Sequence, residues 1–477
     1  MSNQDLCYLS ANEALQHFKN RTLSPVELLQ ALIQQHSLQE PKLGAFTQTY
    51  FDEAMDAARA AEQRYVKGHT ASSLDGLCVA IKEDKGVAGK PTSAGSKVFS
   101  EGVAGGDALP VQLIRAAGGI IHSRTNVCEM GTAAITGSDM QGPTKNPWNP
   151  DYNSGGSSGG AAASLAAGTT TLANGSDYCG SIRIPASSCG VVGYKPPRGR
   201  NPVSPFFNLD WYDHDGPLAR TVADCALLQN AMSGQHPGDL FSLPGNPQLP
   251  LEYQQSLKGK TIAWSMDLGY VEVDPQVKAN TLETLALLKE LGAELIEVNL
   301  DWTEQCLQAF RDHGAAIFGA WVADYLPEHS SQMTDYACAY GATAKNLSAK
   351  AFMDSLAQEA NMWQQLSPIL ERCDALICPT LAVPAVALNH SPLDPDFRVN
   401  NKPVAADFGW LLTYPFNMLS PLPVINIPSG FASSGVPTGI QIVGRPYDDL
   451  SVFSIAGACE AARPWLSNAD QRPNFSK

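Results

Sequence analysis

Apolar and polar positions along this chain change period several times, and each change marks an element. Over roughly the first 65 residues the pattern is helical. Ser10-Ala11-Asn12-Glu13 and Ser24-Pro25-Val26-Glu27 each set a capping serine three residues ahead of a glutamate, the second with proline at the first helical position. A third helix is predicted over residues 51–65, which are rich in alanine and charge. The period breaks at the turn-forming Gly68-His69-Thr70. Leu77-Cys78-Val79-Ala80-Ile81 is then a short apolar run suited to a buried strand, with Lys82 at its end.

Residues 111–117 read as a helix and 119–123 as the strand behind it, followed by an irregular, turn-rich segment up to Trp148. Residues 260–264, 275–291 and 294–298 make a strand, helix and strand in βαβ order. A helical block spans 302–372. The strand Ala375-Leu376-Ile377-Cys378 stops at Pro379. Val424-Ile425-Asn426-Ile427 and Gly439-Ile440-Gln441-Ile442-Val443 read as a strand pair joined through Ser433, Ser434, Gly435 and Pro437. Strands alternating with helices at these spacings argue for an α/β fold. There is no repeat and no linker-like run, so one domain over 1–477 is expected.

Composition narrows the class. With 477 residues, 44% hydrophobic and 17% charged, the chain has the make-up of a globular protein with a sizeable core. A net charge of -15 argues against nucleic acid or an anionic membrane as partner. The N-terminus MSNQDLCYLS lacks the pattern of a secretory signal, and no run approaches the roughly 18 apolar residues of a membrane span. The 11 cysteines show no disulfide spacing, and neither C-x-x-C nor H-E-x-x-H occurs, so no metal is expected. These features point to a cytoplasmic enzyme with reduced thiols.

The chemistry gathers in residues 153–200. Two serine-bearing turns, Gly155-Gly156-Ser157-Ser158-Gly159-Gly160 and Cys179-Gly180-Ser181-Ile182-Arg183, bracket an alanine-rich segment. Glycines beside a serine let the backbone approach a ligand closely and leave N–H groups free to face developing negative charge. Ser157 or Ser158 also satisfies the G-x-S-x-G elbow, yet Asn146-Pro147-Trp148-Asn149-Pro150 is no strand for an elbow to follow. A phosphate cradle lacks its lysine. Cys179 and Cys189 have no activating partner for a thiolate. His214 offers a rival Ser–His scheme or a structural role, Ser158 a bond to the local backbone, and Asp177 with Arg183 an ion pair bracing the loop.

Several blocks together resemble the amidase signature family. They are Ala80-Ile81-Lys82-Glu83-Asp84-Lys85-Gly86-Val87-Ala88-Gly89, Gly142-Pro143-Thr144-Lys145-Asn146-Pro147-Trp148, and the serine-glycine segment through Gly193-Tyr194-Lys195-Pro196. Gly216-Pro217-Leu218-Ala219-Arg220-Thr221-Val222-Ala223-Asp224 and Pro437-Thr438-Gly439-Ile440-Gln441-Ile442-Val443-Gly444 follow in the family's order. The resemblance implies a twisted mixed β-sheet covered by helices on both faces. Within it, 1–65 would form N-terminal helices, 70–232 the signature core and 302–372 a helical block beside the substrate cleft. It implies a Ser–Ser–Lys triad: Ser181 as nucleophile, Ser157 as bridging serine after a cis Gly156–Ser157 peptide, and Lys82 as base. Ser157 lies 75 residues beyond Lys82 (157 − 82) and Ser181 24 beyond Ser157 (181 − 157).

A serine needs an adjacent base, and a lysine serves only when neutral, a state that burial favours. The amides of Tyr178, Cys179, Gly180 and Ser181 would form the oxyanion hole. Where many members read Gly-Thr-Asp-Thr/Ile-Gly-Gly-Ser, this chain has Gly175-Ser176-Asp177-Tyr178-Cys179-Gly180-Ser181, so Cys179 puts a Cβ on the oxyanion loop and Tyr178 is free to shape an acyl pocket. Met130, Trp211, His214 and Phe416 are expected in the substrate wall, with more of it from residues 314–321; the aromatics of 208–214 suit either wall or core.

Details around 174–185 and 414–420 are similar to the 6-aminohexanoate cyclic-dimer hydrolase and aryl acylamidase branch. The implied function is hydrolysis of a small amide, aryl or ω-amino, with esters and carbamates as further candidates. Its partner would be a small-molecule amide, with no cofactor, nucleic acid or membrane and with a homodimer as a possible assembly. The alternative is the amidase subunit of a glutamyl-tRNA(Gln) amidotransferase-type complex.

Overall fold

Serine caps open the N-terminal helices where the pattern places them. The computed structural model describes residues 2–69, 72–205, 207–245, 247–466 and 468–475. Thr70, at the expected start of the signature core, lies outside them. Ser10 and Glu13 exchange reciprocal bonds, Glu13 N–H to Ser10 Oγ at 3.1 Å and Ser10 N–H to Glu13 Oε2 at 2.9 Å. Ser24 and Glu27 do the same at the head of the 19-residue helix Pro25–Leu43. Such boxes satisfy amides that the first helical turn leaves without partners. The third helix, Phe51–Lys67, ends on Gly68 in the left-handed conformation.

The apolar runs pair into one 11-stranded sheet among the described residues. Its order is Phe46–Thr49, Ile120–Thr125, Cys78–Lys82, Leu172–Ser176, Asp215–Ala219, Val192–Lys195, Val424–Phe431, Pro437–Gly444, Ala375–Pro379, Thr261–Trp264 and Glu294–Glu297. Antiparallel pairs fill the middle and parallel pairs flank them, with one further antiparallel pair at the Phe46–Thr49 edge, so the sheet is mixed. Helices flank it, giving a single-domain α/β fold. The predicted pair near the C-terminus forms an antiparallel hairpin with Ile425 opposite Ile442. The βαβ unit forms around the helix Pro275–Glu290, its strands parallel.

Two departures from the predicted elements matter for the site. The alanine-rich segment holds a helix, Gly159–Ala166, which packs on a second short helix, Arg183–Cys189. The 302–372 block is helical as expected, but a π-helical turn, Ala315–Gly319, follows the helix Gln305–Gly314. Such widened turns recur at functional sites.

The sheet also decides where the chemistry sits. Cys78–Lys82 is buried at every position and runs parallel to Leu172–Ser176, with Ala80 opposite Ala173. Both strands therefore end on the same side, bringing Lys82 near Ser176. Asp215, opposite Ser176 on the next strand, joins them. Crevices outside the carboxyl ends of parallel strands are the usual ligand sites of open α/β sheets.

Candidate active site

Lys82 leaves its strand with its side chain wholly buried. Its amide donates to Asn174 Oδ1 at 2.9 Å, fixing the strand end. Its Nζ lies 2.7 Å from Ser157 Oγ, 2.7 Å from Ser176 Oγ and 3.2 Å from Asp84 Oδ2. The Ser176 hydroxyl donates to the same Asp84 oxygen at 2.9 Å. Burial alone would raise the Asp84 carboxyl, but the charges of Lys82 and Lys85 and the Ser176 hydroxyl outweigh it and hold it below the usual range.

Ser157 follows a cis peptide from Gly156. Position 156 admits no side chain, since a Cβ there would lie 2.0 Å from the Ile135 carbonyl oxygen. The Ser158 amide donates to the Ser181 carbonyl at 3.1 Å, which ties the two serine turns together. The Ser158 hydroxyl turns to the Ser176 carbonyl at 3.4 Å. Lys82 and Ser157 are thus in hydrogen-bond contact, while Ser181 is joined to the first turn through main-chain atoms.

The second turn is held by a buried ion pair. Asp177 Oδ1 accepts the Gly180 amide at 2.8 Å and Oδ2 the Ile182 amide at 3.2 Å. Arg183 grips the same carboxylate with Nε at 3.0 Å and Nη2 at 2.9 Å, both side chains fully buried. It also donates to Thr413 O, Gln441 Oε1 and Asn417 Oδ1 at 3.0, 2.8 and 2.7 Å. The pair expected to brace the loop therefore also anchors it to the Pro437–Gly444 strand and the helix Pro415–Met418. Burial would raise the Asp177 carboxyl; the Arg183 charge and its hydrogen bonds overcome this and depress it strongly.

This bracing sorts the expected oxyanion donors. The amides of Tyr178, Cys179 and Ser181 have no protein acceptor among the described residues. The Gly180 amide is bonded to Asp177, which removes Gly180 from the free donors expected there. Glycine is required at 180 for other reasons: φ is 123°, and a Cβ would lie 2.1 Å from Thr413 Oγ1. The Cys179 carbonyl accepts the Thr413 hydroxyl.

Three of the four expected wall residues are placed as packing residues. Met130 is 2% exposed, packs with Val322, Met333 and Ala337, and donates its amide to Ala94 O at 2.7 Å. Phe416 is fully buried, its ring 6.1 Å from that of Trp302. His214 is buried with Nδ1 2.8 Å from Tyr212 O and Nε2 3.5 Å from Lys195 Nζ. Trp211, half-buried, points its Nε1 to Glu359 Oε2 at 3.2 Å. Apolar side chains that line a cleft and those that fill a core look alike in sequence.

The Tyr178 ring is surrounded by Phe318, Tyr212 and Phe310, with centroids 5.5, 5.7 and 6.1 Å away. Tyr178 lies 5.5 Å, ring to ring, from Phe318 on the π-helical turn, and Phe318 lies 4.9 Å from Phe207 and 5.4 Å from Trp321. All four are half-buried. Residues 314–321 were expected to contribute here; Phe207 was not. The Tyr178 hydroxyl donates to Asp210 Oδ2 at 2.7 Å, and Asp210 Oδ1 lies 2.8 Å from His313 Nε2. His313 in turn stacks on Tyr212 with centroids 3.7 Å apart. The 208–214 segment therefore holds Tyr178 through the Asp210 carboxylate and the Tyr212 ring.

A family model described as amidase matches residues 27–453, most of the chain. The chain belongs to the amidase family. It is a hydrolase acting on amide C–N bonds. The amidase is 35% identical to an acylamidase of Rhodococcus erythropolis over 99% of this chain and 98% of that protein. It is 29% identical to a glutamyl-tRNA(Gln) amidotransferase subunit from Geobacter metallireducens over 97% and 98% of the two chains. Among solved structures, a bacterial aryl acylamidase of the amidase signature family superposes with TM-score 0.90 at 27% identity, covering 96% of each chain. A 6-aminohexanoate cyclic dimer hydrolase complexed with substrate superposes with TM-score 0.86 at 26% identity, covering 98% of this chain and 99% of that one.

Rival nucleophiles fare poorly in this amidase. Burial pushes the thiols of Cys179 and Cys189 far up, against thiolate formation. Burial and the neighbouring Lys195 bring His214 down to about 3, and its ring is committed to the backbone and to Lys195. Among the described residues no group of His, Cys, Asp or Glu is arranged to hold a metal ion, and no helix is long and apolar enough to cross a membrane. Ser176 and Asp84 join the site without having been expected in it. Both sit inside the family's motif blocks, Ser176 at the end of its strand and Asp84 two residues beyond Lys82, where the neighbouring parallel strand ends.

Proposed function

We propose that this amidase hydrolyses small carboxylic amides bearing an aromatic group, through an acyl-enzyme on Ser181. Ser181 Oγ attacks the carbonyl carbon as its proton passes through the Ser157 hydroxyl to Lys82. The developing oxyanion takes the free amides of the 178–181 turn, each worth roughly 3 kcal/mol in the transition state. As the C–N bond breaks, the proton returns through Ser157 to the departing amine. Water then attacks the acyl group by the reverse relay, releasing the acid.

The observation that carries this reading is the 2.7 Å contact between Lys82 Nζ and Ser157 Oγ. Preference for an aryl group draws on the rings around Tyr178 and on the names of the acylamidase relatives. ω-Amino amides, esters and carbamates define the rest of a substrate panel.

The test is hydrolysis of p-nitroacetanilide by the purified chain. Ser181→Ala should abolish turnover, and Lys82→Ala and Ser157→Ala should each lower it by about 10²-fold or more. Normal hydrolysis by Lys82→Ala would refute the base assignment. Glutaminase activity without anilide cleavage would favour the amidotransferase-subunit reading instead.

A further inference from the structure

The surroundings of Lys82 hold one more acceptor than a simple lysine–serine relay requires. A carboxylate only accepts, so the single Ser176 proton goes to Asp84 Oδ2, 2.9 Å away. The Ser176 oxygen can then only accept from Lys82 Nζ, at 2.7 Å. A neutral amine has two N–H groups and one lone pair. With one N–H on Ser176 and the other toward Asp84 Oδ2 at 3.2 Å, the lone pair is left for Ser157 at 2.7 Å. Remove the carboxylate and the Ser176 proton loses its acceptor, so nothing prevents it from turning onto Lys82.

We infer that Asp84 is a positioning residue for the base: it turns the Lys82 lone pair toward Ser157 and supplies the counter-charge for the ammonium that forms when the Ser181 proton arrives. The inference rests on Lys82 being the base, as proposed above.

Other charged groups near Lys82 do not duplicate this role. Lys85, whose charge also acts on Asp84, is paired with Asp215 at 2.8 Å. Asp213 is half-buried and pushed up to about 7 by burial, against the pull of Lys85 and with help from Asp215 and Asp84. Glu83 faces away, its carboxylate taking the Ser93 and Gly95 amides. The Cys128 thiol is pushed up to about 11 by burial.

The counter-charge has a functional cost that can be read out. A carboxylate beside an amine favours its charged form over the neutral base. In the pH profile of kcat/KM for p-nitroacetanilide, Asp84→Asn should move the acid limb down by about one pH unit. A shift at the low end of the usual range is expected because a quarter of the Asp84 side chain faces solvent. The plateau kcat should fall about tenfold, and Asp84→Glu should keep the limb in place. Asp84→Ser gives the same readout should the Asn variant not fold.

An acid limb that stays at the wild-type pH in Asp84→Asn and Asp84→Ser overturns the inference. So does a limb that moves in Asp213→Asn but not in Asp84→Asn, which assigns it to Asp213. The base reading is tested separately: a dead Lys82→Ala with an unmoved Asp84→Asn limb refutes only the role of Asp84. An active Lys82→Ala removes the base itself, and this inference with it.

Discussion

Replacing Arg183 by methionine tests whether the buried pair orients the proposed oxyanion turn or merely stabilises the fold. The substitution keeps much of the side-chain length and removes the guanidinium, which holds Asp177 at two points as well as Thr413 O, Gln441 and Asn417. Deleting one partner of a buried pair costs about 3–5 kcal/mol because the other charge is left uncompensated. The lower end applies here, since Asp177 would keep the Gly180 and Ile182 amides and the Asn417 amide at 2.8 Å. At roughly 2.1 cal/mol/K per residue, a chain of 477 residues has an unfolding entropy near 1 kcal/mol/K. A loss of about 3 kcal/mol then lowers Tm by about 3 °C. If the loosened turn also misplaces one oxyanion donor, kcat should fall about 10²-fold. Calorimetry and initial rates with p-nitroacetanilide measure the two effects separately. Arg183→Lys, which keeps the charge but not the fork, should fall between wild type and Arg183→Met. A variant about 3 °C less stable but with wild-type kcat would refute the claim that this pair sets the geometry of the turn. An unchanged Tm would refute the energetic argument itself.

Other expectations follow from single positions. Gly180→Ala would put a Cβ 2.1 Å from Thr413 Oγ1 at a φ of 123°, so urea unfolding should show a loss of about 1–3 kcal/mol, with anilide turnover reduced as well. His122 and His214 are both brought down to about 3, mainly by burial. Each stays neutral in the fold while the unfolded chain takes up a proton below about pH 6.5. Their stabilising effect is therefore fully present above that pH and lost as pH falls toward about 3, at about 1.4 kcal/mol per unit per histidine. Unfolding curves from pH 7 to 4 should show this slope, and His214→Asn should flatten it while leaving the pH profile of kcat/KM in place. Phe318→Ala removes a half-buried ring beside Tyr178. Half of the roughly 2 kcal/mol for a fully buried ring corresponds to about fivefold lower kcat/KM for anilides relative to acetamide, and an unchanged ratio would exclude Phe318 from the aryl site.

Much of the molecule was legible from residues close together in the chain. The Ser10 and Ser24 caps, the βαβ unit, the C-terminal hairpin and the apolar strand ending at Lys82 depend on spacings of a few residues, which backbone geometry reads directly. The two serine turns also stood out as candidates for the chemistry, because glycine flanks and side-chain types are local facts. Tertiary structure decided what meets what. Ser176 reaches Lys82 across 94 residues only because two strands run parallel in one register. The Gly180 amide is engaged because Arg183, held by residues beyond 400, locks Asp177 beneath it. Met130 packs with Val322 and Phe416 with Trp302, while Phe207 meets Phe318, since hydrophobicity demands burial without naming the partner. The periodicity of the chain thus determined its elements and its reactive groups; the close packing of the sheet and its loops chose which of those groups share a site.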